Sequence, residues 1–310
     1  MTAFILARAI RAVVVLFLTA TFVFIVLRLS GDPAQQMLSD LATPEALAAF
    51  RANWGLDKSI PEQFLIYVSH AVRGDFGTSF ADGRPVFVVI AERIPKTLLV
   101  TVSAFVLSML IGIPAGILAA TRRDTATDKA VMAGSVVGYS VPNFLLGIVF
   151  IFIFAVWLRV LPSSGSSTWR HAVLPIATFA LFNAAAISRF TRSTLIDVLG
   201  QPYITAARAD GVPKWEVILR HALPNAAIPM VTLLGFSAGG LLGGAVLVEP
   251  VFAWPGLGRG LVGAVSSGDL NVVQAMILIF TAFLVTINLI VDILYAVLNP
   301  KIRLQRNDAS

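Results

Sequence analysis

The chain has 310 residues, of which 57% are hydrophobic and 13% are charged, and its formal net charge is +6. An average soluble domain is about 25% charged, so this composition excludes an ordinary globular protein and indicates repeated membrane spans. No cysteine is present, which excludes disulfides, thiolate metal sites and a cysteine nucleophile. In a membrane protein, basic residues mainly set orientation, so no nucleic-acid partner is expected.

Six stretches are apolar enough to cross a membrane, which takes about 20 residues each. They are Ala12–Leu27, Thr97–Thr121, Ala130–Leu158, Ala172–Ser188, Ala222–Val248 and Leu270–Val291. The first is interpreted as a retained helix and not a cleaved signal peptide, because Ser30-Gly31-Asp32-Pro33 is a poor cleavage site and further spans follow. The third is long enough to tilt or to start outside the bilayer. The fourth is short and is expected to extend beyond Arg189.

Lys and Arg residues are concentrated in alternate short connections between these spans. The enriched set comprises Arg122, Arg123, Lys129, Arg208, Lys214, Arg220, Lys301, Arg303 and Arg306. Because such residues favour the cytoplasmic side, we expect six spans with both termini in the cytoplasm.

The segment between the first two spans, residues 30–96, is predicted to be a small extracytoplasmic cap of short helices. Thr43-Pro44-Glu45 is typical of a helix start, and Gly55 marks the stop. A second amphipathic helix is predicted from Pro61 to Arg73, closed by Gly74. Its predicted apolar face consists of Phe64, Leu65, Val68 and Val72. Such a segment is too small to form an independent enzyme domain.

The longest cytoplasmic connection, residues 192–225, is predicted to form a helix–turn–helix hairpin. A helix ends at Gly211, a natural left-handed position, and Pro213 starts the second helix as its first residue. The second helix places Trp215, Ile218 and Leu219 on one face and pairs Glu216 with Arg220. The small residues Ala206 and Ala207 lie beside the turn. A compact apolar knob of this kind suits a groove of a partner protein, although its spacing also fits an ordinary amphipathic loop.

This hairpin resembles the Glu-Ala-Ala coupling motif of ATP-binding-cassette (ABC) importer permeases. The motif residues present are Ala206, Ala207, Gly211, Leu223 and Pro224, whereas Thr205 and His221 depart from the pattern. These departures resemble the oligopeptide/dipeptide/nickel branch of the family. Further strings of that branch run along the chain: Gly31-Asp32-Pro33, Gly74-Asp75-Phe76-Gly77-Thr78-Ser79, Glu249-Pro250-Val251-Phe252-Ala253-Trp254-Pro255-Gly256-Leu257-Gly258 and Asn299-Pro300-Lys301-Ile302.

The resemblance implies an all-α membrane protein with the type I ABC importer permease fold, located in a bacterial inner membrane. It implies a hairpin that couples to a cytoplasmic ATPase through Thr205, Ala206, Ala207, Asp210, Gly211, Trp215, Leu223 and Pro224. It also implies a paralogous permease subunit, two ATPase subunits and an extracytoplasmic solute-binding protein. The solute class is a peptide or similar small molecule. The implied organisation is a first span at 1–29, the cap at 30–96, the transmembrane domain at 97–300 and a cytoplasmic tail at 301–310.

No phosphate-binding loop pattern occurs, so ATP and Mg²⁺ are expected on a partner and no cofactor on this chain. The fifth span contains closely spaced glycines, among them Gly239 and Gly243, which permit close helix approach. That approach could occur at a permease–permease interface or translocation path, or within one subunit, and Glu249 could line the path or cap a helix. Asp292 is expected to face protein near Arg189 or Arg192, in a structural ion pair and not a proton relay, because no chain of ionisable residues crosses the spans.

Two other functions remain as alternatives to a permease subunit. A self-contained secondary transporter should show an inverted internal repeat and broken helices at mid-membrane. A six-span intramembrane enzyme should show a Gly-x-Ser-Gly context with a deep His, or paired intramembrane acids. None of these patterns is apparent in the sequence.

Overall fold

The computed structural model describes residues 2–29, 31, 33–38 and 42–298, and these residues are mostly helical. The helices in chain order are α1 (Thr2–Leu29), α2 (Pro33–Leu38), α3 (Pro44–Asn53), α4 (Ile60–Val72), α5 (Val86–Ala91), α6 (Ile94–Thr121), α7 (Ala126–Ser140), α8 (Asn143–Phe150, continued by a π-helical segment Ile151–Trp157), α9 (Arg170–Leu199), α10 (Pro202–Ala209), α11 (Lys214–Glu216, continued by a π-helical segment Val217–Ala222), α12 (Leu223–Val251), α13 (Leu257–Ser266) and α14 (Leu270–Leu298). The predicted tail, residues 301–310, and the string Asn299–Ile302 lie outside the described residues.

Five helical stretches within the described residues are individually long and apolar enough to cross a membrane. They are Leu6–Leu29, Val86–Thr121, Arg170–Leu199, Lys214–Val251 and Leu270–Leu294. The pair α7 and α8 makes six if it is counted as one span, but its two halves meet at a bend of 100°. The predicted span Ala130–Leu158 is therefore not one straight helix. The break follows from Pro142, because the residue before a proline is pushed out of the helical region, and Val141 has a ψ of 123°.

The described residues form two compact units, and the first contains the chain up to Thr97 together with Trp254–Val285. Its apolar core joins α5, α13 and the start of α14 through residues such as Ile90, Leu257 and Val273. Asp269, only 2% exposed, accepts hydrogen bonds from the Ser79 hydroxyl at 2.5 Å and from the Val272 backbone N–H at 3.4 Å. This carboxylate caps α14 and attaches the chain near residue 79 to it.

The start and stop signals predicted for the two cap helices are confirmed. Thr43 accepts a hydrogen bond from the backbone N–H of Ala46 at 3.3 Å, and Pro44 begins α3. The glycines after α3 and α4, Gly55 and Gly74, have φ angles of +63° and +74°. These left-handed angles are the conformation that glycine adopts at low cost.

The apolar face predicted for α4 is only partly correct. Phe64 packs its ring against Phe24 of α1 with centroids 5.3 Å apart, and Tyr67 stacks on Phe24 at 5.8 Å. Leu65 and Val72, which were predicted to lie on the packed face, are 68% and 83% exposed. The face of α4 that packs on α1 is therefore the one that carries Phe64 and Tyr67. The aromatic contacts with Phe24 set this orientation, and the aliphatic side chains of Leu65 and Val72 do not.

The second unit contains the described residues Leu98–Ala253 and Thr286–Leu298, and α9 lies at its centre. Helix α6 approaches α9 closely at Gly112 and Gly116. A Cβ added at Gly116 would lie 2.5 Å from the backbone oxygen of Ser188, and one at Gly112 would lie 2.8 Å from that of Ala184. Helix α7 meets α9 through hydroxyl groups, with Ser135 Oγ 2.7 Å from Ser188 Oγ. Small and hydroxyl residues thus let the helices of this unit pack at short range.

A buried ion pair joins the first turn of α7 to α9. Arg192 donates from Nε and a terminal nitrogen to the two carboxylate oxygens of Asp128 at 2.5 and 2.6 Å. The Asp128 side chain is 3% exposed and also accepts from the backbone N–H of Asp124 at 2.9 Å. The ion-pair partner of Arg192 is therefore Asp128, not Asp292 as predicted. The guanidinium of Arg189 lies 5.2 Å from the ring centroid of Tyr139.

Candidate functional site

The predicted hairpin is present between α9 and α12. It consists of α10, a turn at residues 210–213, the short helix α11 and the π-helical segment Val217–Ala222. Both long helices that flank it belong to the second unit. The hairpin is therefore attached directly to two of the candidate membrane-crossing helices.

The turn of the hairpin has the hydrogen bonds of a Schellman helix ending. The N–H of Gly211 donates to Arg208 O at 3.1 Å, and the N–H of Val212 donates to Ala207 O at 3.1 Å. Gly211 has a φ of +79°, as the sequence predicted. These bonds satisfy carbonyl groups at the end of α10 that the helix itself leaves open, so the turn has a defined shape.

The second half of the hairpin differs in detail from the prediction. Pro213 is the N-cap residue, one position before the helix, because α11 begins at Lys214. Further along, Pro224 has no N–H to donate to the carbonyl of residue 220. The adjoining segment Val217–Ala222 is π-helical, a form that shifts the hydrogen-bond pattern by one residue. The proline thus accounts for the change of helix type where the hairpin enters α12.

Apolar side chains hold the hairpin to its own subunit. Ile204 and Val217 are 0% and 1% exposed and pack with Leu195 of α9 and Ala226 of α12. Ala207 belongs to this cluster and is only 9% exposed. The prediction that Ala207 is presented to a partner is therefore wrong, because its methyl group faces the core between the two halves of the hairpin.

The outer side of the hairpin combines small residues with two large apolar side chains. Thr205, Ala206, Asp210 and Gly211 are exposed, as is Pro224, whereas Leu223 is partly buried. Trp215 and Leu219 are 60% and 55% exposed. The predicted pair of Glu216 with Arg220 is confirmed at 2.5 Å. This outer face, defined here as Thr205, Ala206, Asp210, Gly211, Trp215 and Leu219, is suited to contact another protein.

The glycines of α12 divide between two sides of the helix. Gly239 is buried, and a Cβ at Gly244 would lie 2.9 Å from Phe179 of α9. Gly240 and Gly243 have open space where a Cβ would lie, and they alternate with the exposed residues Phe236 and Leu247. Burial within the subunit therefore accounts for Gly239 but not for the exposed Gly243. Glu249 is completely buried.

The comparison with known families decides what kind of protein carries this hairpin. Residues 112–304 match the family described as the binding-protein-dependent transport system inner membrane component, and residues 1–101 match the N-terminal family of the same system. The chain belongs to this family. Members are permease subunits of ABC importers, so this chain is a multi-pass inner-membrane permease and not an enzyme. Importers of this family work with an ATPase and a solute-binding protein.

Curated relatives of this permease match it over nearly its whole length. The glutathione transport system permease protein GsiC of Escherichia coli strain K12 is 42% identical, over 97% of this chain and 98% of the length of GsiC. The proteins of the same name from Shigella dysenteriae serotype 1 and Salmonella typhi show the same identity and coverage. The permease thus has relatives in an oligopeptide/dipeptide-type branch, as the sequence analysis expected.

A solved structure matches the fold. An inward-facing structure of the MetNI methionine ABC transporter covers 69% of this permease and 97% of the matched chain, with a TM-score of 0.60 and 20% identity. The predicted type I importer permease fold is confirmed by this likeness.

Two features of the permease were missed by the sequence analysis. Asp128 was not singled out, although a lone acid in the first turn of an apolar helix beside Arg122 and Arg123 was a signal. The glycine pair Gly112 and Gly116 has small-xxx-small spacing, which is a sequence signal for close helix approach.

Proposed function

We propose that this permease forms half of the translocation path for a small peptide of the glutathione class, and that its hairpin couples the path to a cytoplasmic ATPase. The observation that carries the coupling role is the outer face of the hairpin. This face exposes Trp215 and Leu219 beside the turn at Gly211. Both halves of the hairpin are anchored by buried residues to α9 and α12. A firmly anchored knob with an exposed apolar tip transmits motion to the helices that hold it.

The partners proposed for this permease are two ATPase subunits, a paralogous permease and an extracytoplasmic solute-binding protein. ATP and Mg²⁺ would be held by the ATPases. The stripe of α12 formed by Phe236, Gly240, Gly243 and Leu247 supports a permease–permease contact, because it is exposed and has room at both glycines for a second helix.

The absence of cysteine from the chain allows the coupling contact to be tested by site-specific crosslinking. Single variants Ala206→Cys and Trp215→Cys should each crosslink to an ATPase subunit in the assembled transporter. Ala207→Cys is the matched control inside the hairpin, since that side chain is buried, and Ala52→Cys is an exposed control on α3. Crosslinking at Ala207 or Ala52 as strong as at Ala206 would contradict the proposed contact.

The solute class rests on the glutathione permeases that match this chain along its length. It is tested by uptake into vesicles that contain the assembled transporter and its binding protein. Labelled glutathione should accumulate with ATP, and unlabelled short peptides should compete better than a nickel chelate or a sugar. Competition by the chelate or sugar alone would reject the peptide class but would leave the coupling proposal untouched.

A further inference from the structure

A cleft of about 630 Å³ lies within the first unit, beside the end of α1, α4 and the turn at residues 75–78. Sites for small molecules typically measure about 300–1,000 Å³, whereas one water molecule takes about 30 Å³. Arg28, in the last turn of α1, lines the cleft. Since α1 is a candidate membrane-crossing helix that ends at Leu29, the cleft lies beside the end of a candidate membrane span.

The buried polar atoms on residues that line this cleft include two that have no hydrogen-bond partner among the described residues. They are the hydroxyl of Tyr67 and Oε1 of Gln63. The orientation of the Gln63 amide is fixed, because its Nε2 donates to Lys58 O at 2.8 Å and to Leu56 O at 3.2 Å. Oε1 is therefore an acceptor without a donor. Burial raises the pKa of Tyr67 to about 12, so its hydroxyl stays protonated and can donate.

Both signs of charge are present around these two atoms. Arg28 and Lys58 contribute positive charge, and the Lys58 ammonium also pairs with the Glu62 carboxylate at 3.5 Å. The Arg28 guanidinium lies 5.3 Å from the ring centroid of Phe24. Asp75 contributes negative charge, and its carboxylate accepts a hydrogen bond from the Gly77 backbone N–H at 2.9 Å and lies 3.1 Å from Nδ1 of His70. The Gly77 bond and, after it, the His70 contact lower the pKa of this carboxyl group. The cleft thus has an unmet acceptor and a carboxylate for a cation, together with an unmet donor and two basic side chains for an anion.

We propose that this cleft binds a zwitterionic group, a primary ammonium joined by a short linker to a phosphate or carboxylate. The ammonium donates to Gln63 Oε1 and to the Asp75 carboxylate, and the anion accepts from the Tyr67 hydroxyl. Arg28 and Lys58 balance the charge of the anion. A purely anionic ligand would leave the Gln63 acceptor unmet, and a purely cationic one would leave the Tyr67 hydroxyl without an acceptor.

Two sources supply this chemistry, the headgroup of an ethanolamine phospholipid and the α-amino acid end of a small peptide. Binding is measured with the permease–ATPase complex, without solute-binding protein, against glycerophosphoethanolamine and against glycylglycine. Glycerol phosphate and ethanolamine serve as probes with only one of the two charges. Tighter binding of glycerophosphoethanolamine assigns the site to lipid, and tighter binding of glycylglycine assigns it to a peptide.

Tyr67→Phe removes only the hydroxyl and should weaken binding of the preferred zwitterion about 10-fold or more, the usual effect of losing a hydrogen bond to a charged group. Tyr139→Phe, at a tyrosine that stacks on Phe182, is the matched control and should bind normally. Lys58→Gln is a second variant at a half-exposed position and should also bind more weakly.

A thermal readout separates a ligand site from a structural role of Tyr67. Without ligand, Tyr67→Phe should melt no lower than the wild type, because it removes a buried hydroxyl that has no partner. With ligand, only the wild type and Tyr139→Phe should gain the full rise in melting temperature. Equal binding of zwitterions and single-charge probes, or equal behaviour of Tyr67→Phe and Tyr139→Phe, would overturn the proposal. Both readouts are independent of uptake and therefore of the coupling hairpin.

Discussion

Gly211 is held at a φ of +79°, and apart from its chain neighbours no heavy atom of the described residues lies within 4 Å of where a Cβ would lie. Within the permease, substitution is therefore limited only by this backbone conformation. A branched side chain at this φ angle should raise the conformational free energy by about 1–2 kcal/mol. Gly211→Val should reduce uptake strongly, whereas Gly211→Asn should retain most of it, because Asn adopts left-handed angles more readily. Uptake per permease in the membrane is the measurement. Equal loss in both variants would show that bulk at the contact, and not backbone angle, is decisive.

The ion pair of Asp128 with Arg192 gives a second prediction for single residues. Asp128→Ala should lower the stability of the purified permease by about 3–5 kcal/mol, since it leaves a largely buried guanidinium without its carboxylate. The double variant Asp128→Leu with Arg192→Met should recover much of this loss, because neither charge then remains. Thermal unfolding in detergent compares the two. If the double variant were less stable than Asp128→Ala, the ion pair would stabilise the fold by more free energy than the desolvation of its two charges costs.

At the scale of helices, the predictable features are those with a local cause. Thr43 and Gly55 set the ends of α3 through capping and a left-handed angle, so their roles followed from residue type. The side on which α4 packs could not be predicted from residue type. It depends on a contact with Phe24, which is distant in sequence and packs on Tyr67 while Leu65 stays exposed. Ala207 was misplaced for the same reason: its burial depends on residues of α9 and α12.

Close approach of α6 to α9 is tested by a pair of glycine substitutions. Gly116→Ala should destabilise the permease by about 1–3 kcal/mol, because the new Cβ would meet the Ser188 backbone and Thr191, and backbone cannot rotate away. Gly134→Ala in α7 is the matched control, with open space at the Cβ position and a gain in helix propensity of up to about 1 kcal/mol. Melting temperatures of the two variants should move in opposite directions. A Gly116→Ala variant as stable as the wild type would contradict the close contact.

For the whole molecule, the distribution of Lys and Arg predicts the orientation of the permease. Reporter fusions after Asp124 should give a cytoplasmic signal and fusions after Ser167 an external one, since basic residues accumulate around the first position. Asp124 lies two residues before the start of α7, whereas Ser167 follows the π-helical continuation of α8, so the two fusions also test whether this bent pair crosses the membrane. Signals from the same side at both positions would show that it does not.

The central claim, that the hairpin couples this permease to an ATPase, is tested most directly by uptake in the variant Ala206→Asp. Ala206 is exposed on the outer face, so the variant should fold and insert normally but should bury an unpaired charge at the ATPase contact. Ala52→Asp, at an exposed alanine of α3, is the control. With uptake normalised to permease abundance, Ala206→Asp should lose transport and ATPase co-purification, and Ala52→Asp should keep both. Wild-type uptake by Ala206→Asp would contradict the claim.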